Sequence, residues 1–434
     1  MQGPLSPDIY DTSRQPDSWW RASCPEWQQP APLTGDKACD VAIIGGGYAG
    51  LSTSIRLAEL GINPCVLDAA PIGWGASGRN GGIVGIESHK LSHKALIRRC
   101  GADEVARYQA AQLAGVDRLS AFCTAHAVPM QGTGEVLLAH SAKAHRALLA
   151  DAPPEGVVHE PIAPTGTSDM SRFGGIRIRP GFGVHPLRLV RALADHAHGL
   201  GVAIHPNSEV LSWTRNGTAH LLQTRHATLH AGAVVVATNG FMPDGLHKGL
   251  DGLAVPVISN IAVTRVLTAE ERARHAWLSD DPVADTRNLL VYLRMLPEGR
   301  LLFGMRGDLT GAHANAPAMQ RAVSRRLARC FPGWSGIEID YFWRGPICAT
   351  ASYTPAVGQL SEDRTVFHAF GWHGSGVNGA QVAGRLLADV VAGAPLDRIP
   401  LPFRGAAPRL PFPRLRPAYV GAALVQQRLA DLLS

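Results

Sequence analysis

Lysine and long apolar runs are scarce in this sequence, and its cysteines form no motif. Of the 41 basic residues only five are lysines, namely Lys37, Lys90, Lys94, Lys143 and Lys248. The seven cysteines are scattered and never occur as C-x-x-C, so we expect reduced thiols in a cytoplasmic protein and no metal site. No continuously apolar run approaches the roughly 20 residues that span a bilayer, and the polar N-terminal segment lacks the apolar stretch of a secretory signal.

The overall composition is typical of a folded enzyme. The chain has 434 residues, of which 46% are hydrophobic and 18% are charged. This is enough for a sizeable core and two domains, and it excludes a disordered protein. The net charge of +6 is carried almost wholly by arginine. Because no basic stripe with interleaved aromatic residues occurs, we expect no nucleic-acid partner.

A glycine-rich turn between a buried strand and a helix is the most informative feature present. Residues 43–50 read IIGGGYAG and contain G-x-G-x-x-G after an apolar, largely β-branched run. In such a turn Gly45 makes the tight bend, Gly47 lets the backbone approach a pyrophosphate, and Gly50 lets helix and strand pack closely. The helix N-terminus then faces the phosphate charge.

An acidic residue completes this unit. A second strand, residues 64–67, ends at Asp68, whose carboxylate can accept hydrogen bonds from a ribose diol. Strand, turn, helix, strand and acid together predict an α/β protein with a Rossmann-type dinucleotide-binding domain.

Three further glycine-punctuated segments favour a buried flavin over a nicotinamide cofactor. They are Gly81-Gly82, Thr238-Asn239-Gly240 and Gly374-Ser375-Gly376. A nicotinamide needs one pyrophosphate loop, whereas a flavin enclosed along its length requires distant segments to approach it by backbone. The last segment opens a helix whose N-terminal dipole would stabilise negative charge on the reduced ring.

Several runs of the sequence match the motifs of one known enzyme family. The most specific match is GWGASGRNGG at residues 73–82. Further matches are SWW at 18–20, IIGGGYAGL at 43–51, VVATNG at 235–240, YLR at 292–294, RLLFG at 300–304 and the W-x-G of Trp343 and Gly345. In these runs the chain resembles the FAD-dependent amine and amino-acid oxidoreductases of the D-amino-acid-oxidase family, and within it the gamma-glutamylputrescine oxidases.

This resemblance implies a two-domain FAD-binding fold of the α/β (α+β) type, with a Rossmann-type domain and a β-rich substrate domain. It also implies FAD as cofactor and oxidation of an amine. The residues expected to hold FAD are Gly45, Gly47, Tyr48, Ala49, Gly50, Asp68, Ala69, Ser77, Arg79, Asn80, Gly81, Gly82, Val210, Ala237, Thr238, Asn239, Gly240, Gly374, Ser375, Gly376 and Val377.

Buried strands alternate with β-rich blocks, which predicts two interleaved domains between an arm and a tail. The expected segments are an N-terminal arm (1–35), an FAD-binding domain (36–90, 181–255 and 345–400), a substrate-binding domain (91–180 and 256–344) and a C-terminal linker and helix (401–434). Residues 91–150 are expected to be helical with a break near 129–134. Asn216-Gly217 predicts a hairpin turn.

Two departures from the family pattern bear on the substrate. Family members commonly read Ser-Gly-His-Gly after the last strand, whereas residues 373–376 read HGSG, which displaces the histidine. Amino-acid oxidases of the family carry an arginine shortly after Trp-x-Gly to pair with a carboxylate, whereas residues 346–348 read PIC. This favours an amine whose nitrogen is not next to a carboxylate; otherwise Arg294 or Arg306 has to serve as the clamp.

The candidate catalytic residues are Tyr292, Arg294, Arg306, Trp372 and His373. Tyr292 and Arg294 lie two apart on a strand and so face one side, towards the substrate cavity, the protein surface or a domain interface. His373 is either a site residue or a structural histidine, and Trp372 is expected to be a cavity wall.

Two further points concern the flavin. Cys348 could tether it, as a cysteine does in some relatives, but its different spacing favours non-covalent FAD. Some relatives use a lysine to activate oxygen; no lysine follows Lys248, so an arginine or histidine would have to serve.

The resulting hypothesis is FAD-dependent oxidation of a small-molecule primary or secondary amine, possibly an acylated diamine, to an imine. Water would hydrolyse the imine, and oxygen would be reduced to hydrogen peroxide. The alternatives are an amino-acid or N-methyl amino-acid oxidase or dehydrogenase that passes electrons to a quinone or carrier, and a non-catalytic FAD-binding subunit. The sequence leaves the oligomeric state open.

Overall fold

The computed structural model describes residues 4–166, 168–274, 279–404 and 408–433, apart from the side chains of residues 432 and 433. The strands in these ranges are β1 (Lys37–Ile44), β2 (Pro64–Leu67), β3 (Ile83–Val84), β4 (Met130–Gln131), β5 (Glu135–Leu138), β6 (Val158–Ile162), β7 (Gly175–Arg179), β8 (Phe182–Val184), β9 (Ala203–His205), β10 (Ser212–Asn216), β11 (Ala219–Gln223), β12 (Thr228–Val236), β13 (Val255–Val266), β14 (Val283–Asp285), β15 (Val291–Met295), β16 (Arg300–Arg306), β17 (Ile339–Ala349), β18 (Ala356–Gln359) and β19 (Val366–Phe370).

The α-helices in the same ranges are α1 (Trp19–Ala22), α2 (Tyr48–Glu59), α3 (Ala76–Arg79), α4 (His93–Cys100), α5 (Ala102–Ala125), α6 (Ala142–Ala150), α7 (Pro186–Gly199), α8 (Ala269–Ala273), α9 (Ala316–Cys330), α10 (Gly376–Val391) and α11 (Arg416–Leu433). None of these described helices is long and apolar enough to cross a membrane.

The first sheet has a parallel centre, in which β1 pairs with β12 and β2, β2 with β9, and β12 with β19. The hairpin β10–β11 pairs with β12 at one edge. Its turn is the predicted one, since Asn216 pairs with Ala219 and Gly217 has a φ of 58°. The carboxyl ends of β1, β2, β12 and β19 therefore meet at one edge of the sheet, where ligands of open α/β sheets bind.

The apolar run of β1 is buried because helices cover the sheet. Val41 to Ile44 are buried, as expected for a central parallel strand. Helices α2 and α10 lie closely together: a Cβ on Gly384 would lie 2.5 Å from the carbonyl oxygen of Ala49, and Thr53 Oγ1 donates to the Gly384 carbonyl at 3.1 Å. This packing fixes both helix N-termini at the same edge of the sheet.

The second sheet has the order β17-β13-β16-β15-β14-β5-β7-β6. Its long antiparallel strands β13, β16 and β17 form the β-rich part that the sequence predicts. A small third sheet joins β3, β8 and β4. The two-domain α/β (α+β) fold class is thus confirmed.

The expectation of helix over residues 91–150 is only partly right. Helices α4, α5 and α6 lie there, but β4 and β5 occupy the break. Strand β5 has only four residues and owes its existence to pairing with β7 and β14.

The domain boundaries stay a prediction. The strands of the first sheet fall within 36–90, 181–255 and 345–400, while β5–β7 and β13–β16 belong to the second sheet. Helix α5, expected in the substrate domain, contacts α10, since Asn378 Nδ2 donates to the Gln112 carbonyl at 2.9 Å.

Candidate active site

A cavity of about 570 Å³ opens at the edge where the parallel strands end. Its walls include the loops after β1, β2, β12 and β19, and also side chains of the second sheet. The cavity therefore extends from the dinucleotide-type turn to the β-rich sheet.

The turn after β1 has the geometry that the glycine pattern predicts. Gly45 has a φ of 109°, and a Cβ on Gly50 would lie 1.9 Å from the Gly45 carbonyl oxygen. Gly47 precedes α2 without a side-chain cap, and a Cβ there would lie 2.9 Å from Ser77 Oγ. The Tyr48 N–H donates to Ser77 Oγ at 3.0 Å. The start of α2 lies on the cavity without a cap from its own N-cap residue, as a diphosphate requires.

Asp68 closes this end of the cavity. Its carboxylate accepts from the backbone N–H of Gly46 at 2.7 Å and of Ala70 at 2.9 Å. Burial raises the pKa of Asp68 to about 6, although both backbone donors lower it. Hydroxyl groups of a ribose would add the donors that favour its charged form.

The loop at residues 73–82 is held by tryptophans on both sides. Trp20 Nε1 donates to the Asn80 carbonyl and Trp343 Nε1 to the Arg79 carbonyl, each at 2.8 Å. The Arg79 guanidinium lies 4.1 Å from the centroid of the Trp74 ring. Burial lowers the pKa of Arg79 to about 9, so the side chain is cationic at neutral pH.

Several buried polar atoms on the cavity wall have no hydrogen-bond partner among the described residues, and Arg79 Nη2 and Thr238 Oγ1 are two of them. Helix α10 also begins on the cavity without a side-chain cap. Buried polar groups are normally paired. Orphaned donors, two uncapped helix N-termini and a carboxylate along one cavity fit FAD, which has a diphosphate, a ribose and a polar ring edge.

Most of the predicted cofactor residues line the cavity. The lining members are Gly45, Gly47, Tyr48, Ala49, Asp68, Ala69, Ser77, Arg79, Asn80, Gly81, Val210, Ala237, Thr238, Asn239, Gly374, Ser375, Gly376 and Val377. Gly50, Gly82 and Gly240 lie behind the wall and allow close backbone packing: a Cβ on Gly82 would lie 2.1 Å from the Val184 carbonyl oxygen, and one on Gly240 would lie 3.2 Å from that of Ile347.

Tyr292 and Arg306 reach the cavity from neighbouring strands of the second sheet. The Tyr292 hydroxyl lies 3.0 Å from Ser259 Oγ, and burial raises the pKa of Tyr292 to about 12. Arg306 Nη2 donates to the His373 carbonyl at 2.9 Å, and burial lowers the pKa of Arg306. The second sheet thus supplies a phenol and a guanidinium beside the loop before α10.

Arg294 does not line the cavity, which changes its expected role. Its Nη1 donates to the carbonyl oxygens of Gly81 at 3.0 Å, Gly82 at 3.2 Å and Val184 at 2.9 Å. It shares one side of β15 with Tyr292, but its guanidinium is used by backbone carbonyls. We therefore interpret Arg294 as a positioning residue for the glycine loop and not as a substrate clamp.

Trp372 and His373 both line the cavity. His373 has a φ of 52°, and its Nε2 lies 3.2 Å from Thr350 Oγ1. Burial lowers the pKa of His373 to about 4, so its imidazole is neutral.

The segment after Trp343 forms an apolar wall. Pro346, Ile347 and Cys348 line the cavity, and Arg344 points elsewhere, into a buried ion pair with Asp308 at 2.6 Å. Burial raises the pKa of Cys348 to about 12, so its thiol is protonated.

Several charged residues on the cavity wall were not predicted, and Glu87, Lys90 and Glu135 are three of them. Lys90 reaches the cavity from the segment after β3, so a lysine lies on the cavity besides the arginine and histidine to which the sequence left the activation of oxygen. Partial burial of its ammonium group lowers the pKa of Lys90 to about 8. Lys90 is one of only five lysines in the chain, and this rarity was the one feature of the sequence that could have identified it as a site residue. Glu135 lies on β5, a strand that the sequence did not predict.

The fold and the cavity together define a flavin-dependent oxidoreductase. The family model described as FAD-dependent oxidoreductase (DAO) matches residues 40–390, and the chain belongs to this family. It is 28% identical over 428 residues to gamma-glutamylputrescine oxidoreductase of Escherichia coli K12, covering 93% of this chain and 96% of that protein.

Solved structures share the fold. Glycine oxidase from Geobacillus kaustophilus superposes with a TM-score of 0.67 at 20% identity, covering 84% of this chain and 98% of that one. Iminodiacetate oxidase from Chelativorans sp. BNC1 gives a TM-score of 0.64 at 20% identity, covering 85% and 100%.

Proposed function

We propose that this FAD-dependent oxidoreductase oxidises primary or secondary amines whose reacting nitrogen is not next to a carboxylate, including acylated diamines. The observation that carries this proposal is the apolar wall of Pro346, Ile347 and Cys348, together with the use of Arg294 by backbone carbonyls. The relative from Escherichia coli, named for an acylated diamine, supports the same substrate class.

The chain's own part is to bind, orient and exclude water. We propose that Asp68, the N–H groups at the start of α2 and the loop at 73–82 hold the dinucleotide, and that the start of α10 faces the ring. The chemistry supplied by bound FAD is two-electron oxidation of the carbon–nitrogen bond to an imine, which water hydrolyses. Tyr292, Trp372 and the apolar wall orient the substrate carbon.

The neighbouring cations suit a remote group of the substrate. Arg306 makes one hydrogen bond to the chain among the described residues, and Lys90 lies on the same cavity. Both are placed to bind a carbonyl or carboxylate at the far end of an acylated diamine.

The proposal also covers the electron acceptor and the attachment of FAD. We propose oxygen as acceptor, with a quinone or carrier as the alternative, and non-covalent FAD because the Cys348 thiol is protonated. The seven free cysteines support a cytoplasmic location.

Anaerobic flavin bleaching tests the substrate class. At equal concentrations, N-acetylputrescine and n-butylamine are expected to reduce the flavin at least about tenfold faster than α-amino acids. This factor is roughly the effect of leaving the α-carboxylate of an amino acid without one charge-assisted hydrogen-bonded pair. Peroxide release in air then separates an oxidase from a dehydrogenase. Faster reduction by an α-amino acid contradicts the proposal.

Arg306 favours a second candidate, oxidation of amino acids or N-methyl amino acids. It lies on the cavity, where it could pair with a carboxylate in place of the missing arginine. Under this alternative, Arg306→Met raises KM for the amino acid about 10- to 100-fold, whereas KM for n-butylamine hardly changes.

A further inference from the structure

The carboxylate of Glu135 lies on the cavity wall and is not among the groups that we propose hold FAD. Glu135 opens β5, and its Oε2 lies 2.6 Å from where a Cβ on Gly85 would be. The Gly85 carbonyl in turn accepts from Asn378 Nδ2, in the first turn of α10, at 3.1 Å. Glu135 therefore lies against Gly85, which follows the Gly81-Gly82 loop in the chain and is hydrogen-bonded to the first turn of α10. The loop and the start of α10 are the two places where we expect backbone to meet the flavin ring.

No group in the described part of the chain donates a hydrogen bond to the Glu135 carboxylate. The charged groups that act on it are Glu87 and Lys90, both on the segment after β3. Burial raises the pKa of Glu135 to about 7; Glu87 adds to this rise and Lys90 opposes it. A carboxylate that faces a cavity without a donor is costly to a fold and typical of a functional group.

The proposed reaction creates a need for a proton acceptor. An alkylamine has a pKa of about 10 and arrives as an ammonium ion. Only the neutral amine has the lone pair that forms the imine as hydride leaves the neighbouring carbon. One proton must therefore leave the nitrogen inside the cavity.

Four other titratable groups on the cavity wall, namely Lys90, Arg306, Tyr292 and His373, are poorly suited to accept it, and the side chain of Glu87 is exposed. Lys90 and Arg306 are cations at neutral pH. Tyr292 has a pKa raised to about 12, and the neutral His373 has a pKa lowered to about 4 and its Nε2 placed at Thr350. An acid or base works best when its pKa lies near the working pH.

We propose that Glu135 is the residue that accepts the proton of the substrate's ammonium group. This rests on the proposed amine oxidation and assigns a catalytic residue to it. The ammonium N–H donates to the carboxylate; the N–H bond breaks as an O–H bond forms. A neutral amine and a neutral carboxylic acid result, and the net charge in the cavity does not change.

The pH dependence of flavin reduction tests this role. In the wild-type holoenzyme, anaerobic reduction by N-acetylputrescine is expected to slow below about pH 7, where Glu135 is already protonated. In Glu135→Gln this limb should move towards the pKa of the free amine, about 10. At pH 8 the variant is then about 10- to 100-fold slower, and at pH 10 it comes within about threefold of wild type.

Proton release on binding gives a readout without turnover. tert-Butylamine carries no hydrogen on the carbon next to nitrogen, so it binds without being oxidised. Calorimetry at pH 8 in two buffers of different ionisation enthalpy should show almost no net proton release for wild type. It should show close to one proton released for Glu135→Gln, because the ammonium then gives its proton to the buffer.

Two further variants keep the test decisive. Glu135→Asp keeps the acid and should retain an acid limb near that of wild type, with a lower rate. Glu338→Gln changes an exposed carboxylate on the residue before β17 and should match wild type in both experiments. Equal FAD content in all variants shows that the site is intact.

The failures are distinguishable. If no amine reduces wild type, the proposed function is overturned before any variant is compared. If amines reduce wild type but Glu135→Gln keeps its pH profile and releases no additional proton, the role of Glu135 is overturned and amine oxidation stands. If Glu135→Gln does not retain FAD, Glu135→Asp provides the test instead. The role of Glu135 is then overturned if flavin reduction in Glu135→Asp no longer slows at acid pH.

Discussion

The two ends of the cavity are built in different ways. At the end that we propose binds the dinucleotide (the dinucleotide end), the walls are backbone: the Gly45–Gly50 turn, the start of α2 and the strand end at Asp68. At the end that we propose binds the substrate (the substrate end), the walls are side chains that come from separate strands of a second sheet, such as Glu135 and Arg306. The shape of the dinucleotide end depends on glycines, where the absence of a Cβ leaves room for the ligand. The chemistry of the substrate end depends on which side chains the strands of the second sheet direct into the cavity.

This difference determines what substitutions do. A methyl group at the dinucleotide end blocks the backbone and should remove the cofactor altogether. A change of side chain at the substrate end should leave the cofactor bound and alter rate, pH dependence or selectivity.

Gly50→Ala gives the largest expected effect. The added Cβ would lie 1.9 Å from the Gly45 carbonyl oxygen, and backbone cannot yield there without moving α2 away from the diphosphate site. We expect loss of FAD, measured as the flavin absorbance of purified protein.

The matched control is Gly199→Ala, the same change at the last residue of α7, where a Cβ meets nothing within 4 Å. It should retain FAD like wild type. Retention of FAD by Gly50→Ala would show that the turn is more adaptable than its close contacts indicate.

The sequence predicted the dinucleotide end because its determinants are local. Gly45 and Gly50 lie within one turn between β1 and α2, so their spacing is visible in six residues. Asp68 follows at the end of the next strand. Parallel pairing then brings these loops to one edge without further information.

The substrate end could be predicted only in part because it depends on tertiary pairing. Glu135 reaches the cavity since the four-residue β5 pairs with β7 and β14, which no local pattern reveals. Arg294 and Arg306 look alike in sequence as arginines on neighbouring strands. Only the contact of Arg294 with the Gly81 and Gly82 carbonyls separates a positioning residue from a cavity residue.

The two arginines provide the second prediction. Arg294→Met removes a buried cation that bonds three backbone carbonyls, and we expect it to lower the free energy of unfolding by about 3 kcal/mol. Arg306 makes only one hydrogen bond to a backbone carbonyl among the described residues. Arg306→Met should therefore lower the free energy of unfolding by about 1 kcal/mol or less. Urea titration of the holoproteins measures both. Equal losses would erase the distinction between the two residues.

Asp68 gives the third prediction, a pH dependence at the dinucleotide end. Its pKa is raised to about 6, so the FAD-free fold loses stability as pH rises from about 4 to about 6, where the buried carboxyl ionises. Binding to a ribose needs the carboxylate. The Kd for FAD should therefore rise about tenfold between pH 7.5 and pH 5, measured by fluorescence titration of the apoprotein.

Asp68→Asn is the control for this effect. It should bind FAD more weakly than wild type at pH 7.5 and lose the dependence between pH 5 and 7.5. A pH dependence that persists in the variant would assign it to another group.

Cys348→Ala gives the smallest expected effect. It tests whether a covalent bond from the Cys348 side chain helps to hold FAD, in addition to the backbone contacts. Cys348 lines the cavity, yet burial raises the pKa of its thiol to about 12, and its Sγ donates to the Ala349 carbonyl at 3.4 Å. A thiol that is not ionised is a poor nucleophile towards a flavin. Acid precipitation of wild type should release all FAD into the supernatant, and Cys348→Ala should hold the same amount of FAD. Flavin that stays with the wild-type pellet but not with the variant would mean that a covalent bond holds FAD at the substrate end.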